Sequence, residues 1–313
     1  MNDKLFSPGL HKLIHHQEHL MKLERREPVS PIHLSVFPTN KCQLKCEYCC
    51  FKNQERSDEE LSFEDFRKSV NVLTKYGLKA LELSGGGDPL LWNCFEEAVS
   101  YAHYNGLKLS LVTNGLELSN ISIPVLEKFS WIRVSIQSVK YAENIDFKRI
   151  PCNVRKSMSY IVYNKESLDR LDDLYNYSKD NNIVIRVASR RPSKVKWEEM
   201  IPTKLKRLEN NGYPLVTFDK EYGSPKGCYM TWIRAAIDWR GNFLPCPSIE
   251  LSYESEGKID ESFAICKIND LEEWIKNNPI HDMGYRCTFC NCGKETNDFI
   301  HSLLSDVEDK DFV

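Results

Sequence analysis

The chain has 313 residues, 41% hydrophobic and 28% charged, with a formal net charge of -3, a globular balance long enough for one large core and a smaller appended module. The near-neutral charge excludes a nucleic acid recognised through a broad basic face, and no run of about 18 apolar residues offers a membrane span. Twelve cysteines without an N-terminal signal pattern read as reduced thiols of a cytoplasmic protein, used for metal or catalysis rather than for disulfides.

In chain order, residues 1–30 carry "HKLIHHQEHLMKLERREP", a helical extension on whose surface His11, His15 and His16 belong. Six short apolar or β-branched runs follow: "HLSVF", "ALELS", "KLSLVT", "IRVSI", "SYIVY" and "IVIRVA". Helix-spaced segments separate them. One is "SFEDFRKSVNVLTKYG", with a capping pattern from Ser62 to Asp65 and a stop at Gly77. Regular strand–helix alternation predicts parallel strands with right-handed crossovers. The expected fold class is α/β: a partial (β/α)6 TIM-like barrel over 31–195, since six units are too few to close an eight-fold barrel. From 196 to 300 the pattern changes to a linker helix, a break at "YGSPKG" and a small cysteine-rich module. Within it "AAIDWRGNFLPC" predicts a β-hairpin turning at Arg240 and Gly241. Residues 301–313 form an acidic tail.

The chemistry is concentrated after the first strand. In "PTNKCQLKCEYCCFKNQ", Cys42, Cys46 and Cys49 are spaced C-x3-C-x2-C, on a loop at the strand's C-terminal end, where parallel α/β folds collect ligands. Three thiolates on one loop can ligate three irons of a [4Fe–4S] cube and leave the fourth open. A zinc knuckle is the competing reading, but structural zinc takes four protein ligands, and adjacent Cys50 is better read as a packed thiol. The second run is followed by "LSGGGDPLL", which holds Gly85, Gly86, Gly87 and Asp88; glycines suit close backbone approach to a ligand. "VTNG" closes the third run with Thr113 and Asn114, and "RVSIQS" the fourth with Ser135.

These segments, in this order after consecutive strands, resemble the radical SAM superfamily. The resemblance implies a [4Fe–4S] cluster on Cys42, Cys46 and Cys49, with Tyr48 as the family's aromatic before the third cysteine. It implies S-adenosyl-L-methionine held by Gly85, Gly86, Gly87, Asp88, Thr113, Asn114 and Ser135; Asp88 stands where the family more often has Glu, and Gln137 where it has Asp. Cys228, Cys246, Cys287 and Cys290 are similar in layout to the twitch domain, a shortened SPASM module, which implies a second [4Fe–4S] cluster. A zinc ribbon is the alternative there, as is Cys292 in place of one ligand. Cys94, Cys152 and Cys266 read as packing thiols.

The activity so implied is reductive cleavage of S-adenosylmethionine to a 5′-deoxyadenosyl radical that abstracts a substrate hydrogen. The expected substrate is a polar small molecule, with the second cluster as electron relay and a flavodoxin- or ferredoxin-type donor. Maturation of a ribosomally made peptide is the second reading, and a zinc-stabilised binding module the third. "IVIRVASRRPSK" brings Arg186, Arg190 and Arg191 to the open face. Arg186 and Arg190 are the candidate catalytic residues, able to hold a carboxylate or phosphate bidentately.

Overall fold

The structure is a computed structural model that describes residues 9–189, 201, 204, 215–216, 226–248, 258–259, 261–277, 280–283 and 293–305. Helices α1 (Gly9–Leu13) and α2 (Gln17–Glu24) precede β1 (His33–Val36). The alternation then runs α3 (Phe63–Lys75), β2 (Ala80–Leu83), α4 (Phe95–Tyr104), β3 (Lys108–Thr113), α5 (Ile123–Leu126), β4 (Phe129–Ser135) and α6 (Val139–Glu143). It continues through β5 (Arg155–Val162), α7 (Lys165–Asp169), α8 (Leu171–Asp180) and β6 (Val184–Ser189). The later elements are β7 (Leu215–Val216), β8 (Arg234–Ile237), β9 (Asn242–Leu244), β10 (Cys266–Lys267), α9 (Leu271–Asn277) and α10 (Lys294–Leu304).

Strands β1 to β6 lie side by side in chain order and pair in parallel. The expected partial barrel is therefore present, with all six runs at their expected places. Helix α3 begins as its capping pattern requires: the Ser62 hydroxyl accepts from the Asp65 N–H at 3.0 Å.

The sheet does not stop where the six runs stop. β7 adds beside β6, and β8 pairs in parallel with β1, its Arg234 opposite His33 and its Ala236 opposite Ser35. β8 and β9 make the expected hairpin, with Gly241 at φ +71° in its turn, and β10 continues it antiparallel. The cysteine-rich tail thus shares one ten-stranded sheet with the barrel. Residues 301–304, expected in an acidic tail, belong to α10, because Ile300, Leu303 and Leu304 fall on one helical face and pack against Leu13, Leu23, Trp232 and Ile280.

Each strand splits its residues by alternation. Leu34, Val36, Leu81, Leu83, Leu109, Leu111, Ile132 and Val134 are fully buried on the outer face beneath Phe66, Val70, Leu73, Ala98 and Val99 of α3 and α4. Alternate positions on the other face are polar: His33, Ser35, Glu82, Ser110, Arg133, Ser135, Ser157, Ser159, Arg186 and Arg234. A flat sheet would hold β2 and β6 about 19 Å apart. Here the charge of Arg186 on β6 acts on Glu82 of β2, so the sheet curls these positions into a common lumen. No helix among the described residues is long and apolar enough to cross a membrane.

Candidate cofactor site and barrel lumen

The cysteine loop leaves β1 at Phe37, whose N–H donates to Ile237 of β8 at 2.8 Å. Cys42, Cys46, Cys49 and Cys50 are half-buried on it. A turn closed by Cys49 N–H to the Cys46 carbonyl at 3.1 Å brings the second and third cysteines onto one bend. Among the described residues no three His, Cys, Asp or Glu side chains converge as a single-ion site. The three thiols stand apart along the loop, yet near enough that the charge of Cys49 raises the thiol pKa of both Cys42 and Cys46. Burial is the larger cause of both shifts. Cys49 goes the other way: the neighbouring Cys50 thiol, the Phe51 N–H and the Arg56 guanidinium favour its thiolate.

Two donors reach these sulfurs from outside the motif. The Gln137 amide donates to Cys46 Sγ at 3.2 Å, and Arg56 reaches Cys49 Sγ at 3.9 Å. N–H donors at cluster sulfurs are what iron–sulfur ligation calls for, so the donor set suits a cluster held by three thiolates. Sequence reasoning missed both residues. Gln137 stands where the resembled family has Asp, and no motif marks Arg56.

Arg56 also binds the cysteine loop to the glycine loop, donating to the Asn40 carbonyl at 3.3 Å and to the Gly86 carbonyl. The glycines themselves lie against the chain. Gly87 N–H donates to Thr39 O and Asp88 N–H to Lys41 O, both at 2.7 Å. A Cβ on Gly87 would stand 1.7 Å from the Lys41 oxygen, and one on Gly86, at φ +69°, 2.9 Å from the Trp239 ring. The glycines, expected to admit a ligand, are constrained first by the cysteine loop and by Trp239 of the tail.

Asp88 is buried, and its carboxylate accepts from Thr113 Oγ1 at 2.9 Å, Asn114 N at 2.6 Å and Leu90 N at 3.0 Å. Burial raises its pKa. Its carboxylate is thereby turned toward the end of β3, so that, in this arrangement, ligand contact from this segment falls to the backbone. Asn114 in turn donates to Gln43 on the cysteine loop at 3.1 Å. Ser135 pairs with Ser159 across β4 and β5 at 3.2 Å. Tyr48 stacks obliquely on Tyr163, ring centres 5.2 Å apart, and burial raises its pKa. The expected residues 48, 85–88, 113, 114 and 135 therefore surround the cysteine loop at the C-terminal ends of β1 to β4.

Below them lies the lumen. Arg234 donates to Glu82 at 2.8 Å, and Ser35 to the same oxygen at 3.5 Å. Arg133 lies 4.7 Å from the Trp131 ring centre, and burial together with Arg186 pulls its pKa down to about 10. Burial drives His33 down to about 3, so it is neutral. Arg186, expected at the open face, takes an inward position on β6, opposite Ser159. Arg190 and Arg191 lie outside the described residues, as do Cys287, Cys290 and Cys292.

Cys228 and Cys246 flank the hairpin, half-buried. Cys228 N–H donates to Asp282 at 2.8 Å. Cys246 packs, with Cys49 and Cys50, against one apolar cluster of Phe37, Phe51, Trp239, Leu244, Ile259 and Phe263. Cys94 and Cys266 are half-buried, as packing thiols should be; Cys152 is exposed, because Ile150 and Val154 take the inward places of its turn.

Among curated proteins, a probable GTP 3′,8-cyclase of Methanothermobacter marburgensis is 33% identical over 117 residues, 37% of each chain. An S-adenosylmethionine-dependent nucleotide dehydratase of Selenomonas ruminantium is 28% identical over 152 residues, 48% of this chain and 52% of the relative. The matched stretch thus spans about a third to a half of these relatives. The crystal structure of Streptococcus suis SuiB bound to S-adenosylmethionine superposes with a TM-score of 0.57 at 16% identity, covering 86% of this chain and 71% of that one. The family model for the radical SAM superfamily matches residues 36–189, the stretch that carries the cysteine loop, the glycine loop and the inward arginines of β4 and β6, so the chain carries a radical SAM domain over those residues.

Proposed function

We propose that the protein uses a 5′-deoxyadenosyl radical to abstract hydrogen from a polar small molecule lodged in the barrel, and that a second cluster relays the electron. The polar inner face carries this reading: serines and arginines from six strands take inward positions below the cysteine loop. Cluster and S-adenosylmethionine, when bound, supply reductive cleavage of the C5′–S bond and the radical. Cys42, Cys46 and Cys49 hold the cluster, and Gly85 to Gly87 offer backbone to the methionine end. Gln137 and Arg56 donate to the sulfurs, while Phe37, Phe51 and Trp239 keep water from that side.

For the second cluster, Cys228 and Cys246 act with Cys287 and Cys290. The shared apolar cluster that borders both Cys49 and Cys246 supports a relay between the two sets. A flavodoxin- or ferredoxin-type protein delivers the first electron. The test is anaerobic reconstitution with iron and sulfide, then reduction with dithionite: 5′-deoxyadenosine should form in the native chain and vanish when Cys42, Cys46 and Cys49 are all alanine. Continued cleavage in the triple variant would overturn the assignment.

A further inference from the structure

The three thiols of the cysteine loop are not served alike. Cys42 and Cys49 take backbone N–H donors two residues further on, from Leu44 and from Phe51, the latter at 3.4 Å. These donors come with the turn of the loop and survive any exchange of side chain. Cys46 draws instead on side chains: Tyr48 beside it, and Gln137 from 91 residues along the chain. At 3.2 Å the Gln137 amide is also nearer its sulfur than the Arg56 guanidinium is to Cys49, at 3.9 Å.

The backbone fixes Gln137 on both sides. Ile136 N–H donates to the Ser159 carbonyl at 2.9 Å, and the Ser138 hydroxyl accepts from Tyr141 N–H at 3.1 Å as α6 begins. Ile136 is buried, so alternation sends Gln137 to the opposite face, with Ser135. A glutamine amide donates to a thiolate, whereas a carboxylate of the same length could only accept. An electron added to a [4Fe–4S] cube raises the negative charge on its sulfurs, so an N–H donor stabilises the reduced form more than the oxidised one. Its potential rises, and a weaker reductant suffices.

We propose that Gln137 is a positioning residue that acts through Cys46 Sγ to raise the reduction potential of the cluster, and so sets how strong an electron donor the protein needs. This rests on reading Cys42, Cys46 and Cys49 as the ligands of a radical SAM cluster. The step affected is one-electron reduction, by a flavodoxin- or ferredoxin-type donor or by dithionite in vitro; no bond forms or breaks, and the amide keeps its protons. The test is a dithionite redox titration of the anaerobically reconstituted full chain. It follows the electron paramagnetic resonance signal that changes on adding S-adenosylmethionine, which separates this cluster from a second one. Gln137→Leu, with no donor, should make reduction about tenfold less favourable, a midpoint about 59 mV more negative, and Gln137→Glu should lower it further. Gln137→Lys, which restores a donor, should return the midpoint to the native value or above. Unmoved midpoints in Gln137→Leu and Gln137→Glu would overturn the role, as would a Gln137→Lys midpoint no higher than that of Gln137→Leu. Loss of iron from both Gln137→Leu and Gln137→Glu would make the contact structural and overturn it equally. A native chain with no S-adenosylmethionine-responsive signal would overturn the cluster reading, and the tuning with it; unmoved midpoints on a normal native signal would overturn the tuning alone.

Discussion

At Gly87 the space for a side chain is already taken by the Lys41 carbonyl. Gly87→Ala should therefore push the cysteine loop away and lower the iron retained after reconstitution. Gly106→Ala, at φ +78° but with nothing within 4 Å, should cost only about 1–2 kcal/mol and leave iron unchanged. Equal iron in the two variants would show that the two loops do not depend on this contact. Asp88 gives a second test. Its partners all donate, so Asp88→Asn turns an amide N–H₂ toward a donor and should destabilise the protein by about 1–3 kcal/mol in urea titration; an unchanged midpoint would mean those donors find other acceptors. The residue types at both positions were legible in "GGGDP", but their reason was not. A motif reports which side chains are tolerated, and only the fold reveals that the tight neighbour is another loop forty-six residues upstream of Gly87 in the case of Lys41.

Among the elements, the strands were legible because alternation and β-branching are local, and α3 because Ser62 and Gly77 mark its ends. The pairing of β8 with β1 was not, since a contact between residues some 200 apart leaves no local pattern. Helix α2 shows the same limit. His11 and His15 are exposed as expected, but His19 is buried and bonds the Trp232 carbonyl at 2.9 Å, and burial pulls its pKa down to about 4. Folding thus requires neutral His19, while the unfolded chain protonates it near 6.5. The associated stability is present above that value and is lost as the pH falls from 6.5 toward 4, an effect on the order of 2–3 kcal/mol. Buried His33 acts in the same direction. Denaturation midpoints between pH 4 and 7 should fall accordingly, and His19→Gln should flatten part of that decline; an identical slope in the variant would place its origin elsewhere. In the hairpin, Asp238 is fully buried and accepts from Arg240 N, Nε and an NH2 and from Asn242 N and Nδ2, at 2.9 to 3.1 Å. Asp238→Ala strands these donors and should cost about 3–5 kcal/mol, read from chemical denaturation.

At the scale of the whole molecule, one sheet joins barrel and tail. A chain ending at residue 195 would bare the edge of β1 and strip α1 and α2 of Trp232 and Ile233, so it should aggregate on size-exclusion chromatography; a monodisperse, folded fragment would show two independent units. Cys287→Ala with Cys290→Ala should remove about four irons while 5′-deoxyadenosine formation persists, and full iron content in that variant would remove these cysteines from the second site. The parallel seam between β1 and β8 has a consequence for descent. The tail strand carries Arg234 into the chamber and is followed by Trp239, which lies against Gly86, so barrel and tail share authorship of one pocket. A recombination event that joined this barrel to a foreign tail would replace a wall of the chamber along with the appendage. Lineages bearing this seam should accordingly inherit both halves together, and new specificities should arise by paired drift on its two sides rather than by exchange of modules.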